Sequence, residues 1–157
     1  MVRRPKREKI IVGVDGSEES VEAVRQAYRL ATATGSDVEA WTCWEFPAGY
    51  EAYLAMGIDG FAHDAVTALE QTVAKAFDGE PPPGFRTRLV HGAPRTELIE
   101  ASRNASLLVV GRRGRGGFRS LPLGSVSASC VAHAHCPVLV VHRKDVSRNT
   151  NPAPEQP

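Results

Sequence analysis

Cysteine is scarce in this chain, and the three that it has, Cys43, Cys130 and Cys136, form no C-x-x-C pair. An odd number of cysteines without that spacing argues against a disulfide framework and against a cysteine zinc site. Long apolar runs are absent as well. The run "IIVGV" near the start is interrupted by Asp15 and is too short for a signal peptide or a membrane helix. We therefore expect reduced thiols, no membrane partner and a cytoplasmic location.

Two common nucleotide-binding motifs are also missing. No G-x-x-x-x-G-K-[ST] is present, which excludes a P-loop, and the first strand–helix turn reads "GVDGSEES" instead of the dinucleotide fingerprint G-x-G-x-x-G. Ser17 follows a strand, but no G-x-S-x-G surrounds it, and a helix-capping role explains it more simply. We therefore predict no catalytic residues.

The length and composition suit one domain. With 157 residues, 42% of them apolar and 24% charged, the chain can bury a hydrophobic core. Its first nine residues include five basic side chains, and its last nine lack large apolar residues. We predict a basic N-terminal tail at 1–8, a folded domain at 9–143 and a disordered C-terminal tail at 144–157.

Buried strands alternate with amphipathic helices along this domain. Apolar runs predict strands at 9–14, 37–46, 86–91, 107–111 and 138–142. Apolar residues spaced by three and four predict helices at 17–34, at 62–76, from Pro94 onward, and at 125–134. Ser17 is the expected N-cap of the first helix and Gly35 its end. The segment 47–60 gives no prediction.

This alternation predicts an α/β fold with a doubly wound parallel sheet, because right-handed crossovers place helices on both faces. Ligands of such sheets bind outside the carboxyl ends of the strands, where the strand order reverses. Asp15 follows the first strand, and Gly111 follows the fourth. If these two strands are neighbours, both residues face one crevice.

A stretch rich in glycine and arginine, "GRRGRGGFRSLPLGSVS" at 111–127, follows the fourth strand and ends at a helix start. Glycine lets the backbone approach a ligand closely, and the free N–H groups of a helix N-terminus favour phosphate. Single glycines in such turns usually serve the turn alone. Glycines at both ends, hydroxyls at Ser125 and Ser127, and a carboxylate after another strand together indicate a phosphate cradle.

The same residues carry a family resemblance. Gly111-x-x-Gly114, nine further residues and Gly124-Ser125 resemble the G-x-x-G-x9-G-[ST] pattern of the ATP-binding branch of the universal stress protein family. The similarity extends over residues 9–143, including "IIVGVDGSEES" and "GSVSASCVAHAHCPVLVVH". It implies an open five-stranded sheet of order 3-2-1-4-5, in which the first and fourth strands are adjacent.

The resemblance also implies a site. Asp15 would lie near the ribose or a phosphate-bound Mg²⁺, and the backbones of Gly111 and Gly114 would line the ribose and phosphates. The backbone of Cys43 would meet adenine. The helix start would hold the phosphates through Gly124, Ser125, Val126 and Ser127.

ATP with Mg²⁺ is the expected ligand, although the sequence does not exclude AMP or another adenine nucleotide. The resemblance further implies a nucleotide-dependent regulator or survival factor in the stress response. At most it would hydrolyse ATP slowly. A homodimer through the last strand, "PVLVVH", is the expected assembly.

Two other functions stay open at this point. The segment "RGRGG" resembles arginine-glycine segments of RNA-binding proteins, but it occurs once, and we expect the side chains of Arg112, Arg113, Arg115 and Arg119 to point to solvent. Nucleic acid is therefore not an expected partner. An adenylating enzyme of the related superfamily would typically carry S-G-G-x-D-S after the first strand, which "GVDGSEES" does not match.

Overall fold

The computed structural model describes residues 6–57, 60–114 and 122–143. The predicted C-terminal tail, most of the N-terminal tail and the loop residues Arg115 and Arg119 lie outside these ranges. The predicted division into two tails and one domain therefore stays a prediction.

The described residues form five strands and five α-helices, with α2 and α3 both between β2 and β3. The strands are β1 (Lys9–Gly13), β2 (Asp37–Trp44), β3 (Phe85–His91), β4 (Leu107–Gly111) and β5 (Val138–Val141). The helices are α1 (Glu18–Thr34), α2 (Tyr50–Ala55), α3 (Phe61–Phe77), α4 (Pro94–Ala101) and α5 (Ser125–His133), with a 3₁₀ turn at Ser102–Asn104. Every predicted element is present, and α2 is an additional short helix within the segment that gave no prediction.

Local sequence signals set the ends of the first helix. The Ser17 hydroxyl accepts a hydrogen bond from the Ser20 N–H at 3.2 Å, which satisfies one of the free donors at the start of α1. Gly35 ends the helix with φ +71°, a left-handed conformation that favours glycine. The predicted N-cap and helix end are both confirmed.

The sheet is parallel throughout and has the order β3-β2-β1-β4-β5. β1 pairs with β4 in the register Ile10↔Leu107 to Val12↔Val109. The chain order therefore reverses between these two strands, which brings the ends of β1 and β4 to the same crevice. The predicted fold class and strand order are confirmed.

Successive side chains of β1 point to opposite faces of the sheet and pack into two separate hydrophobic cores. Ile10 and Val12 pack with the buried faces of α1 and α3, whereas Ile11 packs on the opposite side with Leu98 of α4 and Cys130 of α5. Ile11 has no exposed surface. A buried side chain of this size contributes about 1.5–3 kcal/mol to folding. Because both faces are covered, the open space lies at the ends of the strands.

Candidate functional site

A cavity of about 180 Å³ lies at the carboxyl ends of β1, β2 and β4, bordered by α4 and the start of α5. All eight residues that the sequence predicted for the site line this cavity: Asp15, Cys43, Gly111, Gly114, Gly124, Ser125, Val126 and Ser127. They come from four separate segments of the chain. The reversal of strand order between β1 and β4 brings them together.

Asp15 is the acidic residue at the polar end of the cavity. Its Oδ1 accepts hydrogen bonds from the backbone N–H of Ser17 at 2.9 Å and from the Ser17 hydroxyl at 2.5 Å. Its Oδ2 lies so close to Gly114 that a β-carbon at position 114 would overlap this oxygen. The turn after β1 therefore holds the carboxylate directly against the glycine loop.

The start of α5 supplies unpaired donors. The loop closes at its base, where the N–H of Gly124 donates to the carbonyl of Arg112 at 2.8 Å. The next three N–H groups, those of Ser125, Val126 and Ser127, form the first turn of α5 and find no acceptor among the described residues. A helix N-terminus with free donors and the positive end of the helix dipole attracts anions.

The Ser127 hydroxyl already forms a hydrogen bond within the protein. This buried side chain donates to the carbonyl of Gly111 at 2.5 Å and ties α5 to the end of β4. Its contribution to an anion site is therefore the backbone N–H, whereas the exposed Ser125 offers both its hydroxyl and its N–H.

The other end of the cavity is apolar and neutral. Trp41, Cys43, Pro94 and Leu98 line it. Burial, with a smaller contribution from the charge of Glu97, raises the pKa of the Cys43 thiol to about 12. The thiol therefore stays protonated at neutral pH and acts as a small hydrophobic group.

Two loop arginines differ from the expectation. We expected solvent exposure, but Arg112 and Arg113 are half-buried, and Arg113 lines the cavity. The Nε of Arg112 is buried and has no acceptor among the described residues. The expectation was wrong for these two residues because the backbone hydrogen bonds at the loop base hold their main chain against β5 and α1.

Glu19 is a functional candidate that sequence reasoning missed. Its carboxylate accepts a hydrogen bond from the backbone N–H of Arg113 at 2.6 Å, and a β-carbon at Gly111 would lie only 3.0 Å from its Cβ. In the sequence it reads as one of two acids in the first turn of α1, a position that needs no tertiary partner. No sequence signal distinguishes it from Glu18.

Comparison with known proteins identifies the family. The model of the universal stress protein family matches residues 6–142. The chain belongs to the universal stress protein family. This confirms the resemblance seen in the glycine loop and in the turn after β1.

The most similar curated relatives include the universal stress protein Rv2623 of Mycobacterium tuberculosis, which is 32% identical over 94% of this chain and 50% of its own length. The chain thus spans about half the length of the mycobacterial relatives that it matches. An archaeal relative, MJ0531 of Methanocaldococcus jannaschii, is 28% identical over 86% of this chain and 82% of its own length.

Solved structures of the family share the fold. The protein UspA from Lactobacillus plantarum superposes with a TM-score of 0.70 at 21% identity, covering 88% of this chain and 99% of its own. A universal stress protein in complex with cAMP superposes with a TM-score of 0.56 at 30% identity, covering 86% of this chain and 96% of its own. That universal stress protein therefore binds cAMP, an adenine nucleotide.

In this universal stress protein, no helix of the described part of the chain is long and apolar enough to cross a membrane.

Proposed function

We propose that this universal stress protein binds an adenine nucleotide, ATP in particular, in the cavity at the end of β1 and β4. One observation carries the proposal. Three N–H groups that find no acceptor among the described residues stand at one end of a cavity whose other end is apolar and neutral. A nucleotide has the same division, with anionic phosphates at one end and an apolar base face at the other.

The polar end suits phosphate in two further ways. Arg113 lines the cavity, and its guanidinium is a cation that hydrogen-bonds phosphate oxygens. Gly114 has no side chain, which lets a ligand approach the loop backbone closely. The relative crystallised with cAMP, at 30% identity, supports an adenine nucleotide as the ligand. The apolar end beside Trp41 and Cys43 suits its base.

Asp15 adds a negative charge beside the proposed phosphates, and a divalent cation offsets this repulsion. Mg²⁺ in proteins is commonly held by one or two carboxylates together with substrate phosphates. The described residues contain no cluster of three or more metal-ligating side chains, which fits a metal that arrives with the nucleotide. Asp15 is the residue that would hold Mg²⁺, and the metal would neutralise phosphate charge.

The proposed role is regulatory. Asp15 is the only acidic side chain among the described residues that line the cavity, and as a Mg²⁺ ligand it leaves no separate general base in the lining. We expect ATP hydrolysis to be slow or absent, so that bound nucleotide sets the state of the protein in the stress response. We further propose that the protein acts in the cytoplasm, where its three free thiols stay reduced.

The proposal is tested by mass spectrometry of nucleotide released from freshly purified protein and by calorimetric titration of the emptied protein. We expect about one ATP per chain and binding that is roughly tenfold tighter with Mg²⁺ than with EDTA, as an ion-bridged contact implies. Asp15→Asn should abolish the Mg²⁺ effect. Asp37→Asn, which removes an exposed carboxylate at the opposite end of β2, is the matched control and should leave it unchanged.

Release of no nucleotide, together with no calorimetric binding of ATP, ADP, AMP or cAMP, would contradict the proposed function. Binding that is equally tight with Mg²⁺ and with EDTA would contradict the assignment of Asp15 as a metal ligand while leaving nucleotide binding in place.

A further inference from the structure

Exposed apolar side chains are concentrated at helix α2 and just before and after it. Of the seven large apolar side chains exposed in the described part of the chain, five lie within residues 46–56. We call these five the α2 surface: Phe46, Tyr50, Tyr53, Leu54 and Met56. Leu54 has 44% of its area exposed and Met56 71%. Because folded proteins rarely expose apolar groups side by side, such a surface indicates an interaction site.

Ring contacts hold the α2 surface in one arrangement. Tyr50 stacks on Phe46 with ring centroids 4.7 Å apart. Phe61, at the start of α3, meets Phe46 and Tyr53 edge to face at 6.0 and 6.1 Å. Phe46 also lies edge to face with Trp44 of β2, 5.2 Å away. The surface is therefore anchored to β2 and α3, and a partner that binds it pays little to order these side chains.

The charges around the α2 surface have one sign. Residues 30–74 hold seven acidic residues and no Lys or Arg, although the net charge of the whole chain is +1. Two of these acids, in the first half of β2, form ion pairs. The acids closest to the α2 surface in the sequence, Glu45, Glu51 and Asp64, are exposed and form no ion pair with a described residue. A complementary partner therefore carries positive charge as well as apolar groups.

This charge argues against other occupants. Nucleic acids and anionic membranes present phosphates, which the exposed acids repel. A second copy bound through the same surface in a symmetric dimer would bring the same acids face to face. The expected dimer strand, β5, is at the opposite edge of the sheet from β3, with β2 next to β3. The α2 surface thus stays free in that dimer.

We propose that the α2 surface binds a basic amphipathic segment of a partner protein. Apolar side chains of the segment pack on the rings and on Leu54 and Met56, and its Lys or Arg side chains pair with the flanking acids. No residue of the α2 surface lines the nucleotide cavity, so this inference does not depend on nucleotide binding. Because the surface follows β2, whose Trp41 and Cys43 do line the cavity, it gives the proposed regulator a docking place near its ligand.

The experiment measures binding of two synthetic peptides by calorimetry. The basic amphipathic peptide KLAKLAKKLAKLAK is the probe, and ELAELAEELAELAE has the same apolar pattern with the opposite charge. We expect the wild type to bind the basic peptide, and to bind it more weakly as the salt concentration rises. The acidic peptide should bind roughly tenfold more weakly or not at all.

Variants with matched controls locate the contact. The double variant Leu54→Ser and Met56→Ser should bind the basic peptide roughly tenfold more weakly, whereas Val131→Ser, which removes an exposed apolar side chain of α5, should bind it like the wild type. Glu51→Gln should lower the affinity roughly two- to fivefold. Glu80→Gln, which removes an exposed acid beyond the other end of α3, should leave it unchanged. Circular dichroism checks that each variant is folded.

Three results would overturn the inference. The first is a wild type that does not bind the basic peptide, or binds both peptides equally. The second is a folded double variant that binds the basic peptide as tightly as the wild type does. The third is a double variant that light scattering shows to be a smaller assembly than the wild type, which would make a second copy the occupant. These measurements need no nucleotide, so the proposed function stands or fails separately.

Discussion

Among the glycines that line the cavity, Gly114 leaves the least room for a side chain. A β-carbon there would occupy the position of Asp15 Oδ2, while Oδ1 of the same carboxylate is held by two hydrogen bonds from Ser17. At Gly124, in contrast, a β-carbon would meet its nearest neighbour, the Cα of Arg113, at 3.4 Å, an ordinary contact distance. The structure therefore requires glycine at position 114 but has room for a β-carbon at position 124, although both glycines belong to one motif.

This difference predicts that alanine weakens nucleotide binding at position 114 and has little effect on it at position 124. Gly114→Ala should weaken Mg-ATP binding roughly ten- to hundredfold, because the methyl group displaces the Asp15 carboxylate and breaks its charge-assisted hydrogen bonds. Gly124→Ala, the matched control, should bind within about threefold of the wild type. Calorimetric titration of both folded variants checks this, and equal affinities in the two would refute the explanation.

At the scale of elements, the glycine loop is held in place by helix α1. The Glu19 carboxylate accepts a hydrogen bond from the Arg113 N–H at 2.6 Å, and the Glu19 Cβ leaves little room for a side chain at Gly111. Glu19 therefore acts as a positioning residue, because its contacts are with the loop and it is not among the residues that line the cavity. Its neighbour Glu18 lies at the surface and forms an ion pair at 3.0 Å with Lys75 of α3.

The two adjacent acids give a matched pair of variants. Glu19→Ala should weaken ATP binding several-fold, since it removes a charge-assisted hydrogen bond that orders the loop. Glu18→Ala should leave the affinity unchanged, because exposed ion pairs contribute little. Glu19→Gln, which keeps an acceptor oxygen, should recover part of the loss. A Glu19→Ala variant with wild-type affinity, compared by titration, would show that the loop needs no such contact.

Helix α2 shows why one element was not predictable. None of its six residues is buried, so it carries no periodic apolar face that a sequence pattern could reveal. Its aromatic side chains instead contact rings from other elements: Tyr50 stacks on Phe46 at 4.7 Å, and Tyr53 lies 6.1 Å from Phe61. Such contacts depend on the placement of α3 and β2 and leave no local signal.

At the scale of the whole molecule, the two edges of the sheet differ. Strand β3 places the exposed charged residues Arg86 and Arg88 on its edge, which discourages pairing with another chain. Strand β5 reads "VLVV" and carries no charge. Its carbonyls at Pro137 and Val141 bond to β4, so the backbone groups of Val138 and Val140 face outward. We propose β5 as the homodimer edge.

This proposal predicts the assembly of a proline variant. Val140→Pro removes an outward N–H without removing a bond to β4, a substitution that edge strands accept. Light scattering should give a dimer for the wild type and a monomer for Val140→Pro, with an unchanged circular dichroism spectrum. A dimeric Val140→Pro of native spectrum would show that the dimer uses another surface, and a monomeric wild type would contradict the proposal.

The sequence by itself determined the five strands, four of the five helices of the described residues, and the family. Ser17, Gly35 and Pro94 mark helix ends through local backbone chemistry, and apolar periodicity reports burial, so these features need no knowledge of distant contacts. The spacing of Gly111, Gly114 and Gly124 pointed to the loop and to the strand ends where a ligand would lie.

Only the tertiary structure decided which side chains share the cavity and what each one does there. The hydrogen bond from Arg113 to Glu19 joins residues 94 positions apart, and Trp41 reaches the cavity wall from a strand on the other side of β1 from β4. The Nε1 of Trp41, which has no acceptor among the described residues, and the Ser127 hydroxyl, which donates to Gly111, likewise owe their surroundings to packing. Such contacts depend on distances between elements, which composition, periodicity and motif spacing do not contain.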